Sequence, residues 1–248
     1  MKTIYAFRNM ANSLSKGILL LSFFQKEKKK NAKNRSILLG ILLWATTTGS
    51  LFAQTATAPT LGDGSASNPY RIASLNNLYW IAENSTRWSY HYVQTASIDA
   101  SATSTWFSGA GWTPIGNSSD AFGGTYDGQL YTISNLYINR STTDYVGLFG
   151  LTANSLGYSY NLANILLTNV DITGNDNVGG ICGKTQQYAV IQSCSCSGSI
   201  TGNEKVGGIV GYNYISNVKF SKTTALVKGS NKVGGFIGSS EENCYVDN

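Results

Sequence analysis

Apolar and glycine positions return in register along the second half of the chain. Val178-Gly179-Gly180-Ile181-Cys182-Gly183 is followed by Val206-Gly207-Gly208-Ile209-Val210-Gly211 and by Val233-Gly234-Gly235-Phe236-Ile237-Gly238, at steps of 28 and 27 residues. A form shorter by one residue, Val146-Gly147-Leu148-Phe149-Gly150, stands earlier. A polar turn precedes each full unit: Thr173 to Asn177, Thr201 to Lys205, and Lys228 to Lys232. Ile172, Ile200 and Val227 share one apolar position ahead of the turn, and Ile191 and Val218 share another. A period of this length predicts stacked supersecondary units, because one unit cannot bury its apolar side chains alone. Strands rising about 3.3 Å per residue between closely spaced turns predict three short strands per repeat. The fold class that follows is all-β, a right-handed parallel β-helix, since crossovers between parallel strands take that hand. The glycines Gly179, Gly180, Gly183, Gly207, Gly208, Gly211, Gly234, Gly235 and Gly238 are predicted at a corner where backbones crowd or φ turns positive.

The pattern changes upstream. Gly62-Asp63-Gly64-Ser65 is turn chemistry, and Asn68-Pro69 leads into an extended Tyr70-Arg71-Ile72. Ser74 reads as an N-cap, and Leu75, Leu78, Tyr79 and Ala82 place one apolar stripe on a helix running to Glu83. A solenoid end exposes interior and strand edges, so this helix is predicted to cap it. Tyr90 to Ile98 reads as one strand, Trp106 to Ile115 as an aromatic loop, and Asp127-Gly128 as a tight turn. The predicted organisation is a signal peptide over 1–53, a flexible leader over 54–61, a cap with the first coils over 62–140, and repeats over 141–248. Glu242 to Asn248 reads as the middle of another coil, so the last repeat is incomplete and the chain is expected to be a piece of a longer protein.

Residues 1–53 alter the reading of charge. They hold nine Lys or Arg and one Glu, and the remainder carries nine basic against twelve acidic groups, so the formal +5 becomes −3. A nucleic-acid footprint needs clustered cations on the folded part, and nucleic acid is excluded as a partner. The lysines around Lys28 to Lys33 precede the apolar run Ile37 to Ala45, and Leu51-Phe52-Ala53 offers a small-residue cut after Ala53. That order is a secretory signal with an extended basic n-region. Neither this run nor Gly17 to Phe24 reaches the ~20 apolar residues of a bilayer span, so no span is expected after cleavage. Charged residues make up 12% of the chain, which suits an extracellular β-rich protein.

The Val-Gly-Gly-x-x-Gly units, with Ser193-Cys194-Ser195 and Asn243-Cys244-Tyr245 between them, resemble GLUG motif repeats. Gly64 to Ile72, Trp112-Thr113-Pro114-Ile115-Gly116, Phe122 to Gly128 and Tyr131 to Leu136 are similar to the opening blocks of such modules. The resemblance spans roughly 62–248 and implies a bacterial secreted or outer-membrane-associated surface protein with an adhesin-like β-helical stalk. It implies no catalytic residues. It also implies a second setting, the noncatalytic repeat region of a larger secreted hydrolase acting on protein or glycan.

Candidate chemistry is sparse. His91 is the one histidine, which excludes a two-histidine zinc site, and it reads as structural. Gly179 to Thr185 imitates a phosphate loop, but Val178 stands where the first glycine belongs. Cys182, Cys194, Cys196 and Cys244 read as interior residues, with Cys194 and Cys244 at equivalent repeat positions. Asp63, Asp127, Asp176 and Glu204 read as turn chemistry. No catalytic, metal or cofactor site is predicted. Tyr158, Tyr160, Tyr188, Tyr212 and Tyr214 follow the glycine corners and are the candidate ligand surface, a strip suited to a host or environmental glycan or a protein surface.

Overall fold

The computed structural model describes residues 54–154 and 156–247, and the predicted signal peptide lies outside them. Four sheets carry the fold. One orders Tyr70–Ile72, His91–Gln94, Thr125–Asp127, Leu162–Ala163, Val190–Gln192, Asn217–Lys219 and Tyr245–Asp247; a second runs through Ile98–Asp99, Thr132–Ser134, Leu166–Thr173, Ser195–Thr201 and Lys222–Thr223. The third holds Phe149–Ala153, Cys182–Gln186, Val210–Tyr214 and Ile237–Glu241, and the fourth Val178–Gly179, Glu204–Gly207 and Asn231–Gly234. The paired strands run parallel, and the chain visits the four sheets in the same order on successive circuits. The class is all-β with parallel sheets.

The register places like over like. Val146 pairs with Val178, Val178 with Val206, and Val206 with Val233. Ile172, Ile200 and Val227 form a second column, and Leu162, Ile191, Val218 and Val246 a third. The first three valines are fully buried, whereas Val233 in the last circuit is 43% exposed. The short first unit loses its residue at the place of Gly180, because Val146 still meets Val178 while Phe149 meets Cys182.

Three expectations need correction. A full circuit passes through four sheets rather than three strands, because the glycine pair splits the run into Val178–Gly179 and Cys182–Gln186, which join different sheets. Tyr90 to Ile98 likewise breaks into His91–Gln94 and Ile98–Asp99. The glycines of the three full units are absent from the positive-φ positions; the left-handed residues are Tyr145, Asn177, Lys205 and Lys232, each just before its valine. The glycines answer crowding instead. A Cβ on Gly179, Gly207 or Gly234 would run into the carbonyl oxygen three residues on, at Cys182, Val210 or Ile237.

The helix forms over Leu75–Glu83, with the Ser74 hydroxyl accepting from Asn77 N–H at 3.2 Å. It buries Leu78, Tyr79, Ile81 and Ala82. The segment read as a flexible leader is tied to this helix: Thr57 N–H donates to Asn76 O at 3.1 Å and Thr57 O accepts from Asn77 Nδ2 at 3.0 Å. Asp127-Gly128 does not close a hairpin, since the strands beside it enter different sheets.

A polar column runs inside the stack. Thr152, Thr185, Asn213 and Ser240 are in register, and the first three are fully buried. Thr185 Oγ1 donates to Asn213 Oδ1 at 2.7 Å, and Asn213 Nδ2 donates to Ser216 O at 3.2 Å. Thr185→Val keeps the shape but leaves Asn213 Oδ1 without this donor in a buried site. The expected cost is about 1–3 kcal/mol, read as a lower urea midpoint; an unchanged midpoint would contradict this account of the column.

Candidate functional site

The five tyrosines do not form one strip. Tyr212 and Tyr214 share the strand Val210–Tyr214, with ring centroids 5.9 Å apart. Their partners one circuit earlier include Lys184 rather than an aromatic residue, so the rings do not continue down the sheet. Tyr188 stands apart at 71% exposure. Tyr158 and Tyr160 sit across from the first sheet, in a groove of about 320 Å³.

That groove is built from three consecutive circuits. His91 and Thr125 are register partners on neighbouring strands, and Asp127 pairs with Val93 on the same two strands. Strand alternation turns His91 outward while Tyr92 points into the core. His91 Nδ1 and Thr125 Oγ1 are 2.7 Å apart, and the imidazole meets the Tyr158 ring edge-on at 4.9 Å. Burial holds His91 below the ordinary imidazole value, favouring the neutral ring. Asp127 Oδ1 accepts from Gln129 N–H at 2.9 Å and from Asn164 Nδ2 at 2.8 Å. Burial, then the Asp127 charge, pushes the Tyr160 phenol up. Asn154 fixes the tyrosine loop: its Oδ1 accepts from Tyr158 N–H and its Nδ2 donates to Tyr158 O, both at 2.8 Å. The groove therefore presents aromatic faces beside uncharged donors and acceptors and one carboxylate. Sequence reading placed Tyr158 and Tyr160 among the candidates but treated His91 as structural; the alternation Tyr90-His91-Tyr92 is the signal that turns it outward.

The second face is cationic. Lys184 Nζ lies 5.2 Å from the Tyr212 centroid and 5.7 Å from that of Tyr214, and Lys205 Nζ lies 4.2 Å from Tyr212. The Tyr212 hydroxyl donates to Glu241 Oε2 at 2.9 Å, and Lys232 reaches Glu241 Oε1 at 3.3 Å. Burial, followed by the Glu241 hydrogen bond and charge, pushes Tyr212 up to about 12. The hydrogen bond from Tyr212, then those from Lys232 and Ser239, hold Glu241 below the usual carboxylate range.

The remaining candidates serve the stack. Asp176 Oδ1 accepts from Asn203 Nδ2 at 2.9 Å and Glu204 N–H at 3.1 Å, one rung of a ladder between polar turns. Asp63 holds its own turn through Ser65 N–H at 2.9 Å. The four cysteines are free, and burial pushes the Cys194 and Cys196 thiols up to about 12. Cys194 and Cys244 are not equivalent. Cys194 N–H donates to the Ser221 hydroxyl, while Cys244 precedes Tyr245, the partner of Asn217. The 27–28-residue step, not the Ser-Cys-Ser likeness, sets the register.

No family model matches the chain. Over 195 residues, 77% of the chain, it is 40% identical to halomucin of Haloquadratum walsbyi, of which the match covers 2%. It is 34% identical over 189 residues, 73% of the chain, to a protein of Evansella cellulosilytica described as a Gly-rich membrane protein, of which it covers 21%. The chain thus spans a small part of both relatives. A crystal structure from Bacteroides ovatus, described as an immunoglobulin A1 protease, aligns with a TM-score of 0.42 at 15% identity, over 75% of this chain and 66% of that one.

Proposed function

We propose that this chain is an exported, surface-displayed module of the GLUG type, a right-handed parallel β-helix that spaces and binds without catalysis of its own. The observation that carries the reading is the in-register column of Val146, Val178, Val206 and Val233. Stacked identical rungs make a stiff elongated body, the form a stalk needs. The likeness to a protein described as a Gly-rich membrane protein supports a place at the cell surface, as does the basic-then-apolar leader. His91 engages the Thr125 hydroxyl rather than a carboxylate, which favours binding over acid–base work at the groove.

The ligand class that fits the groove is a neutral glycan, whose C–H faces pack on Tyr158 and Tyr160 while its hydroxyls meet Asp127, Gln129 and His91. Titration of the full chain against neutral oligosaccharides is expected to yield a binder. Tyr158→Ala should weaken that binder about tenfold, with unchanged circular dichroism. A binder that Tyr158→Ala and His91→Ala leave untouched would place the ligand elsewhere, and no binder at all would remove the glycan reading.

A further inference from the structure

Lys184 is an anomaly on the cationic face. Glu204 lies within 4.0 Å of both Lys205 and Lys232, and Glu241 is 3.3 Å from Lys232. None of the ion pairs among the described residues includes Lys184. Lys184 is half-buried as a residue, with its ammonium over two tyrosine rings. Ring electron density faces it on Tyr212 and Tyr214, and Lys205 Nζ lies 4.2 Å from the centroid of the same Tyr212 ring. Burial, followed by the Lys205 charge, pulls the Lys184 ammonium below the ordinary lysine value. An isolated, partly desolvated cation beside a second cation is costly unless an anion arrives.

The register fixes this juxtaposition. Lys184 pairs with Tyr212 one circuit on, and Lys205 stands just before Val206 in the circuit that carries Tyr212.

We propose that Lys184 and Lys205, framed by Tyr212 and Tyr214, form a binding site for an acidic polysaccharide, whose carboxylate or sulfate meets the ammonium of Lys184. The sugar ring lies against Tyr214. Charge-assisted hydrogen bonds supply the affinity, and the net −3 of residues 54–248 keeps polyanions off the rest of the surface. This site is separate from the groove of Tyr158 and stands or falls independently of it.

The test titrates residues 54–248, the compact unit left after the predicted cut and free of the basic leader, at low salt with polygalacturonate, dextran sulfate and neutral dextran. Binding to at least one polyanion but not to dextran is expected. Lys184→Met should weaken it about tenfold, and Lys184→Arg should retain most of it. Lys222→Met, an exposed lysine of another sheet, should leave it unchanged. Polygalacturonate alone or dextran sulfate alone would support the site and identify the anionic group. If Lys184→Met does not fold, Lys205→Met carries the same comparison. Silence with both polyanions, wild-type affinity in the lysine variant of the site, or an equal loss in Lys222→Met would overturn the proposal.

Discussion

Trp112→Ala is expected to destabilise the protein by about 4 kcal/mol, the upper part of the range for deleting a buried aromatic ring. Trp112 is fully buried, and its Nε1 donates to Leu148 O at 3.1 Å. Its ring centroid lies 6.2 Å from that of Tyr79 on the helix and 6.1 Å from that of Trp106. Arg140 Nε donates to Trp112 O at 2.9 Å, so the chain that leads into the repeats is fastened to the same residue. One side chain thus joins the helix, the aromatic loop and the circuit that begins at Val146. Removing it leaves a cavity and takes the Nε1 donor from Leu148 O. Because the ends of a stacked array protect the rest, the loss should lower the unfolding midpoint of the whole domain rather than fray one end. Guanidinium unfolding followed by tryptophan fluorescence and by circular dichroism checks this. A stability loss under 1 kcal/mol would mean that the helix and loop are ornaments on a self-sufficient stack.

Gly207→Ala should cost about 3 kcal/mol, while Gly235→Ala, in the same motif one circuit on, should change stability by less than about 0.5 kcal/mol. The contrast comes from what a new Cβ meets. At Gly207 it runs into Val210 O, comes within 2.6 Å of Gly238 N and within 2.9 Å of Ile237 Cα. All three are backbone atoms, and backbone held by strands on both sides cannot step aside. At Gly235 nothing lies within 4 Å. A motif that read as one signal in the sequence therefore has unequal consequences along the stack. Equal losses at both positions would show that the glycines matter through conformation rather than through space.

The architecture was legible where side chains repeat. The positions shared by Ile172, Ile200 and Val227, and by Ile191 and Val218, became register partners because burial forces like residues onto one face of each rung. The helix was legible too, since Ser74 carries the N-cap chemistry and the stripe has helical spacing. The corners were not. Glycine suggested crowding or positive φ; crowding it is, while the left-handed positions went to Asn177, Lys205 and Lys232, whose side chains carry no such signature except at asparagine. The fourth strand was hidden because Val178–Gly179 is too short to show a period.

The site was half legible. Tyrosines after the glycine corners marked both faces, but their partners come from other circuits: His91 lies far upstream of Tyr158, and Lys184 reaches Tyr212 through register alone. A local motif cannot report such neighbours. Lys184 in particular looks in the sequence like the end of a failed phosphate-loop pattern, and its tyrosine partners emerge only when the circuits are laid over one another.

A crystal structure of the chain tests the central claim most directly. The account predicts Val178, Val206 and Val233 in one column, each Cα about 4.8 Å from the next across parallel strands, with Val146 above them. Valines lying on different sheets, or neighbouring units paired antiparallel, would contradict it.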